Sequence, residues 1–320
     1  MTQTPGPSPE ISVVASALNE AGNIRVLYDR ITSALDGAGV SFELILVDNA
    51  GTDGTWELMR SLRDRDKRVK CLRLSKTFGH TEALLAGIDH SSGAAVVTMD
   101  SDLQHPPELL PRLIAKWREG FSVVSTVKKR DYRIPFLRYH FTVFFYALIN
   151  RISGLKLSFG QSDFRLLDRR VVEVLKGMKE RPKFLRGIVD WIGFNRTSIE
   201  YSVQERLSGK STYNLWRLLE YGFNGIFSFS MIPLRILLIT GLLAASLSLL
   251  FMFYNIVVWL IAKFWIPVFF LPTGFTTLAV VILFIGSVQL IGIGLLGEYL
   301  GRVYTQVKNR PEYIIAEKIL

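Results

Sequence analysis

From Ile236 to Ala262 no residue carries a charge, and Arg235 and Lys263 bound the run. About 20 apolar residues carry a helix across the hydrocarbon core of a bilayer, and this stretch is longer. It reads as a membrane span, so the rest of the chain must fold while tethered to lipid. A second uncharged run extends from Phe264 to Gly297, but Pro267, Pro272 and Gly274 interrupt its start. The second helix is therefore expected from Thr276 to Glu298, and the two form a hairpin. A buried hairpin in a soluble protein is the alternative, disfavoured by helices this long and apolar on every side. Lys263 is the only charge in the connection, whereas Arg235 flanks one inner end and Arg302, Lys308 and Arg310 follow the other. By the positive-inside rule both termini and everything before Arg235 lie in the cytoplasm, which gives an inner-membrane protein with two spans.

The 320 residues suffice for about two domains, and 49% hydrophobic content with a mean hydropathy of +0.27 agrees with partial immersion in lipid. Lys and Arg number 38 against 28 Asp and Glu, a net +10. The surplus is concentrated between Arg112 and Arg217, where basic residues outnumber acidic ones more than twofold. That middle segment is expected to face phosphates or an anionic leaflet. A single cysteine, Cys71, excludes an internal disulfide and a multi-cysteine metal site. His80, His90, His105 and His140 share no metal-ligand spacing. Met1 to Glu10 is polar and proline-rich, so no cleaved signal peptide is expected.

Before the spans, strand and helix patterns alternate. Ile11 to Ala17 is a β-branched apolar run, followed by Ile24, Leu27, Ile31 and Leu35 at helical spacing. Phe42 to Val47 stops at Asp48, after which Thr52 and Asp53 offer N-caps to a helix carrying Trp56, Met59 and Leu62. Val69 to Leu74 leads to a helix over Thr81 to Ile88, and Ala94 to Met99 ends at Asp100-Ser101-Asp102 before a helix started at Pro106. This alternation predicts an α/β fold with a mostly parallel, Rossmann-like sheet and ligands at the carboxyl ends of its strands. Asn19, Glu20, Asp48, Asp100 and Asp102 all fall at such ends. Pro135 to Arg151 and Leu215 to Phe229 mix aromatics with arginines and read as interfacial amphipathic helices, packing onto the sheet being the alternative.

Asp100-Ser101-Asp102 is the sharpest local signal, because two carboxylates one residue apart at a strand end can approach one hard cation, Mg²⁺ or Mn²⁺. Most Asp-x-Asp triplets are solvated loop carboxylates; the place of this one, after the fourth strand, sets it apart. No Walker-type loop, no Gly-x-Gly-x-x-Gly after the first strand and no Gly-x-Ser-x-Gly competes with it. What remains is a nucleotide-diphosphate site built from carboxylates and a cation.

Ser12 to Glu20 (SVVASALNE), Glu43 to Thr55 (ELILVDNAGTDGT) and Met99 to Glu108 (MDSDLQHPPE) together resemble family 2 glycosyltransferases of the GT-A fold. The nearest subgroup is the dolichol-phosphate mannose synthase-like enzymes, including bacterial polyisoprenyl-phosphate glucosyltransferases. Asp163 to Arg169, Arg206 to Tyr213 and Gly297 to Arg302 extend the likeness into the membrane part. The resemblance implies a GT-A core over 1–133, an acceptor-side segment with interfacial helices over 134–231, two transmembrane helices over 232–301 and a cytoplasmic tail over 302–320. It implies that Ser16, Leu18, Glu20, Asp48 and Asn49 surround base and ribose, and that Asp100, Ser101 and Asp102 meet the diphosphate, with metal on Asp100 and Asp102. Ser16 stands where the family usually has Pro, Asn49 where it has a second Asp, Thr212 where it has Lys, and His105 where Asp is frequent. The Gln-x-x-Arg-Trp motif of processive synthases is missing, which favours a single transfer.

The reaction so implied moves one hexose, glucose from UDP-glucose, to a polyprenyl phosphate such as undecaprenyl phosphate, with inversion. GDP-mannose, UDP-GlcNAc or an amino-sugar donor is the alternative within the fold, and a silent membrane scaffold or lipid-sugar carrier the alternative of another class. Arg130, Arg138, Arg206, Lys210, Ser211 and Tyr213 are candidates for the acceptor phosphate, since a guanidinium fork matches phosphate oxygens. The catalytic residues expected are Asp102, Arg206 and Asp163. Asp163 either orients sugar or acceptor hydroxyls or pairs with Arg165 or Arg169. Glu298 is expected to pair with Arg302 at i,i+4. The expected partners are the nucleotide sugar, the polyprenyl phosphate, the bilayer and further copies of the chain, taken as a tetramer, with no nucleic acid.

Overall fold

The computed structural model describes residues 9–129, 160–181, 183–202, 230–265 and 275–320, with a few isolated positions between them. Strand β1 (Ile11–Ala17) is buried along its whole length, as is β2 (Phe42–Asp48). Strands covered on both faces read as continuous apolar runs, which is why both were evident in the sequence. Helix α1 (Ala21–Asp36) joins them and buries Ile24, Leu27, Ile31 and Leu35, a stripe one helical face wide. Helix α2 (Thr55–Arg65), β3 (Val69–Leu74), α3 (His80–Asp89) and β4 (Ala95–Asp100) complete the alternating part. A 3₁₀ turn at Pro107–Leu109 opens α4 (Leu110–Arg118), and β5 (Val123–Lys128) follows. Next come β6 (Gln161–Asp168), α5 (Arg169–Gly177), α6 (Leu185–Trp191) and β7 (Arg196–Tyr201).

The strand order is β7-β5-β6-β4-β1-β2-β3-β8, with β4, β1, β2 and β3 mutually parallel and β6 antiparallel to β4. Helices α1, α2 and α4 cover one face and α3, α5 and α6 the other, each over its own apolar cluster. Helix α3 lies so close to β1 that a Cβ on Gly87 would collide with Val14. The carboxyl ends of β1, β2 and β4 meet along one edge, where Ser16 pairs in register with Val47 and Asp100.

Helices α7 (Ile232–Trp265) and α8 (Phe275–Lys308) have 34 residues each. Both are long and apolar enough to cross a membrane, and Ile232–Tyr254 has a mean hydropathy of 2.4. Both also outrun the uncharged stretches: α8 continues beyond Glu298 to Lys308. A helix of this length reaches roughly 50 Å, more than the hydrocarbon core of about 30 Å requires. Asn309 in the left-handed region (φ 47°) and Pro311 end α8 and turn the chain toward the sheet. There β8 (Ile315–Ile319) pairs antiparallel with β3, an element the sequence analysis did not contain. Arg302 pairs with Glu298 at 2.9 Å, as its spacing predicted. The proposed interfacial stretches at Pro135–Arg151 and Leu215–Phe229 lie outside the described residues, apart from isolated positions.

Candidate active site

Two loops meet above the ends of β1 and β2. Asn19 takes a positive φ (58°), and its Oδ1 accepts from Thr52 N at 2.8 Å. Glu20 N donates to Thr55 Oγ1, while Ala21 N donates to Asp53 Oδ2, so Asp53 holds the start of α1 as well as that of α2. Asp48 is fully buried; its Oδ1 accepts from Gly51 N at 2.8 Å and Arg73 Nε lies 3.3 Å from Oδ2. Burial pushes its carboxyl above the ordinary value despite both partners. Asn49 is buried and fully engaged: Oδ1 accepts from Phe78 N (3.0 Å) and Nδ2 donates to Gly79 O (3.1 Å). An amide satisfies a donor and an acceptor at once where an ionised Asp could only accept, so the departure from Asp at this position has a local cause. The loop it holds ends in Gly79, whose φ of 143° suits glycine, and delivers His80 as the first residue of α3.

His80 bridges two strand ends, with Nδ1 2.8 Å from Ser16 Oγ and Nε2 3.0 Å from Asp100 Oδ1. Burial works against the imidazolium, but Asp100 lifts its pKa to about 9. On the other side of Asp100 the neutral form of His105 prevails, because burial depresses its pKa. Asp100 N donates to His105 Nδ1 (3.0 Å), which leaves Nε2 to donate to Ser162 Oγ (2.6 Å). His105 stacks on Phe164 with ring centroids 5.3 Å apart. Burial opposes the charge of Asp100, but the His80 imidazolium beside it outweighs that, so its pKa falls well below the usual carboxylate range. Ser101 Oγ donates to Ser16 O at 2.8 Å, and Gln104 N donates to Asp102 Oδ1 at 3.1 Å.

Asp163, on β6, is gripped from two directions. Arg186 forks it, Nε to Oδ1 at 2.9 Å and Nη2 to Oδ2 at 2.6 Å, and the fully buried Arg165 adds Nη2 to Oδ1 at 2.7 Å. Burial is again overcome, here by the two guanidiniums, and Asp163 is held ionised. Of the two partners the sequence suggested, Arg165 is one; Arg169 instead donates to Gly93 O. His80 and Arg186 complete the cluster although no sequence motif marked them, and His105, noted in the sequence only as a departure within the Met99 to Glu108 motif, joins them.

The predicted donor residues therefore fall into two groups. Ser16, Asp48, Asn49 and Ser101 are buried and hold loops, whereas Leu18, Glu20, Asp100 and Asp102 retain open surface. Arg130, Arg138, Arg206, Lys210, Ser211 and Tyr213 lie outside the described residues. Among the described residues no three His, Cys, Asp or Glu side chains form a ready-made metal cage. Asp100 Oδ1 is a buried oxygen whose neighbour is the His80 ring, and Asp102 stands two residues on. Such a pair suits a hard divalent ion whose remaining positions go to water and phosphate oxygens.

A mostly parallel α/β sheet thus carries paired carboxylates at the end of its fourth strand. Residues 12–176 match the family described as Glycosyl transferase family 2. The chain belongs to that family. It is 40% identical over 306 residues to the SfII prophage-derived bactoprenol glucosyl transferase of Shigella flexneri, covering 96% of this chain and 97% of that protein. It is 35% identical over 308 residues to an uncharacterized glycosyltransferase of Synechocystis, covering 96% and 95%. Among solved structures it is similar to a mannosyltransferase from Pyrobaculum calidifontis in complex with GDP-Man and Mn²⁺, at 21% identity and a TM-score of 0.49, over 69% of this chain and 64% of that one.

Proposed function

We propose that this enzyme transfers a single glucose from UDP-glucose to a polyprenyl phosphate such as undecaprenyl phosphate, inverting C1, at the cytoplasmic face of the membrane. The observation that carries this reading is the cluster of Asp100, Asp102, Asp163, His80 and Arg186 at the strand ends of a chain that also holds two membrane-length helices. The likeness to bactoprenol glucosyl transferases over nearly the full length supports the same acceptor class.

In the proposed step an acceptor phosphate oxygen forms the new bond to C1 while the bond from C1 to the diphosphate oxygen breaks, and its electron pair leaves with the nucleoside diphosphate. A phosphate monoester has a second pKa near 6, so the nucleophile is already mostly dianionic at pH 7 and needs little help from a base. Positioning and charge neutralisation then supply most of the catalysis. Asp100 and Asp102 would hold Mg²⁺ or Mn²⁺, which when bound disperses the charge of the departing diphosphate. His80 places a second positive charge beside the same carboxylate. Asp163 has both oxygens engaged by guanidiniums, which favours a role in orienting the site over proton abstraction. Arg206 and Arg130, helped by Arg138, Lys210, Ser211 and Tyr213, are assigned to the acceptor phosphate.

The test is incubation of the purified protein with a panel of radiolabelled nucleotide sugars and undecaprenyl phosphate, followed by organic extraction. Label from UDP-glucose in the organic phase is the expected result. Label from GDP-mannose or UDP-GlcNAc instead reassigns the donor, and no lipid-linked label from any donor refutes the reading.

A further inference from the structure

The segment between α5 and α6 runs directly into Arg186, the residue that forks Asp163, and it is held from outside the sheet domain. Near the end of α8, Gln306 reads its backbone twice: Oε1 accepts from Arg181 N at 2.7 Å and Nε2 donates to Lys179 O at 2.6 Å. Just past the helix, Arg310 O accepts from the Arg181 guanidinium. Two residues further, Glu312 Oε2 pairs with Lys183 Nζ at 3.2 Å, with side chains only 14% and 9% exposed. The same tail then reaches the other loop of the site. Tyr313 donates to Asp89 at the end of α3, and Ile314 O accepts from Ser75 N, where the chain leaves β3 toward His80.

We propose that Gln306 and Glu312 are positioning residues for the transfer: they join the membrane helix α8 to the loop that presents Arg186 to Asp163. This rests on the function proposed above. The acceptor phosphate is confined to the headgroup layer, so the donor cluster must be presented to it in a fixed orientation. A rigid connection from α8 through Gln306, the loop and Arg186 to Asp163 supplies that orientation. Interactions inside the sheet domain alone cannot, because they carry no information about where the bilayer lies. Geometry matters steeply here, since misplacement of a reacting group by about 1 Å can cost on the order of a hundredfold in rate.

The Lys183–Glu312 pair offers a charge-reversal cycle. Glu312→Lys and Lys183→Glu, each alone, place like charges together in a nearly closed setting, whereas the double reversal restores attraction. In detergent-solubilised full-length protein each single variant is expected to lose on the order of tenfold or more in kcat, with UDP affinity by calorimetry within about threefold of wild type. The double variant should regain most of the kcat. Amide hydrogen exchange of the peptide carrying Lys183 and Arg186 should accelerate in the single variants and slow again in the double one. Gln306→Glu, which keeps the acceptor for Arg181 N but loses the donor to Lys179 O, should show the same kcat loss and faster exchange if the reversed pair fails to fold. Unchanged kcat in the single variants, or a parallel loss of UDP affinity, overturns the proposal. So does a double variant no better than the singles. The exchange data are independent of turnover: slowed exchange regained in the double variant, together with a wild-type enzyme that transfers no sugar to the lipid, would reject the assigned reaction, not the connection.

Discussion

Replacing Asn49 with Asp separates two readings of one position. Family likeness places this residue beside the base, whereas in the structure its amide is spent on the loop before His80. Asn49→Asp keeps the acceptor for Phe78 N and removes the donor to Gly79 O, turning a carboxylate oxygen toward a carbonyl about 3 Å away. Losing one partner of a buried hydrogen bond costs roughly 1–3 kcal/mol. For a domain of this size about 2 kcal/mol lowers the unfolding midpoint by roughly 4–8 °C. The penalty depends on pH in a definite sense. A buried carboxyl facing a carbonyl has a raised folded-state pKa, so its cost is absent below the unfolded value near 4 and grows as pH rises through the folded value. Thermal unfolding in detergent should therefore show a larger deficit at pH 7.5 than at pH 5. An unchanged midpoint at pH 7.5 combined with tighter UDP binding would refute the loop-holding account and return the position to the base.

Asp102→Ala should cut turnover by orders of magnitude while the unfolding midpoint stays near wild type, and EDTA should do the same to the unaltered enzyme; full activity in EDTA would remove the cation from the mechanism. Glu43 is buried, and although burial raises its pKa, Lys70, Ser12 and Ser92 more than compensate and hold it below 4.5. Its stabilisation is thus present at neutral pH and lost as pH falls through that depressed value, so Glu43→Gln should cost about 2 kcal/mol at pH 7 and progressively less as the pH is lowered below 4.5, as read by denaturant titration. Cysteines introduced at Pro267 should react with an impermeant maleimide from outside the cell, and those at Ser8 or Lys318 should not. Cys71 adds no background, because burial pushes its thiol up to about 12. Arg206→Ala should weaken apparent polyprenyl-phosphate affinity while nucleotide binding stays within a few-fold, with Arg206→Lys recovering only part for want of the fork.

The parallel strands were legible because burial on both faces writes itself as unbroken apolar runs, and the Asp100-Ser101-Asp102 turn because both carboxylates share one strand end. The partners of those carboxylates were not. His80 reaches Asp100 from the next layer, and Arg186 meets Asp163 from 23 residues away across a helix, so neither leaves a local pattern. Asn49 was visible as a departure but not its cause, which lies in backbone groups of a different loop. Strand β8 escaped because only one of its edges is paired and Glu317 and Lys318 stand within it. Such charges suit an outermost strand and give no apolar signature.

Strand β8 also fixes an order of manufacture. It follows α7 and α8 in the chain, so during synthesis the β3 edge stands bare until both hydrophobic helices have emerged from the ribosome. A nascent sheet with an open edge is a template for pairing with neighbouring chains. Completion of the sheet thus waits on synthesis of both apolar helices, and a chain stalled before them carries a bare β3 edge that the finished one covers.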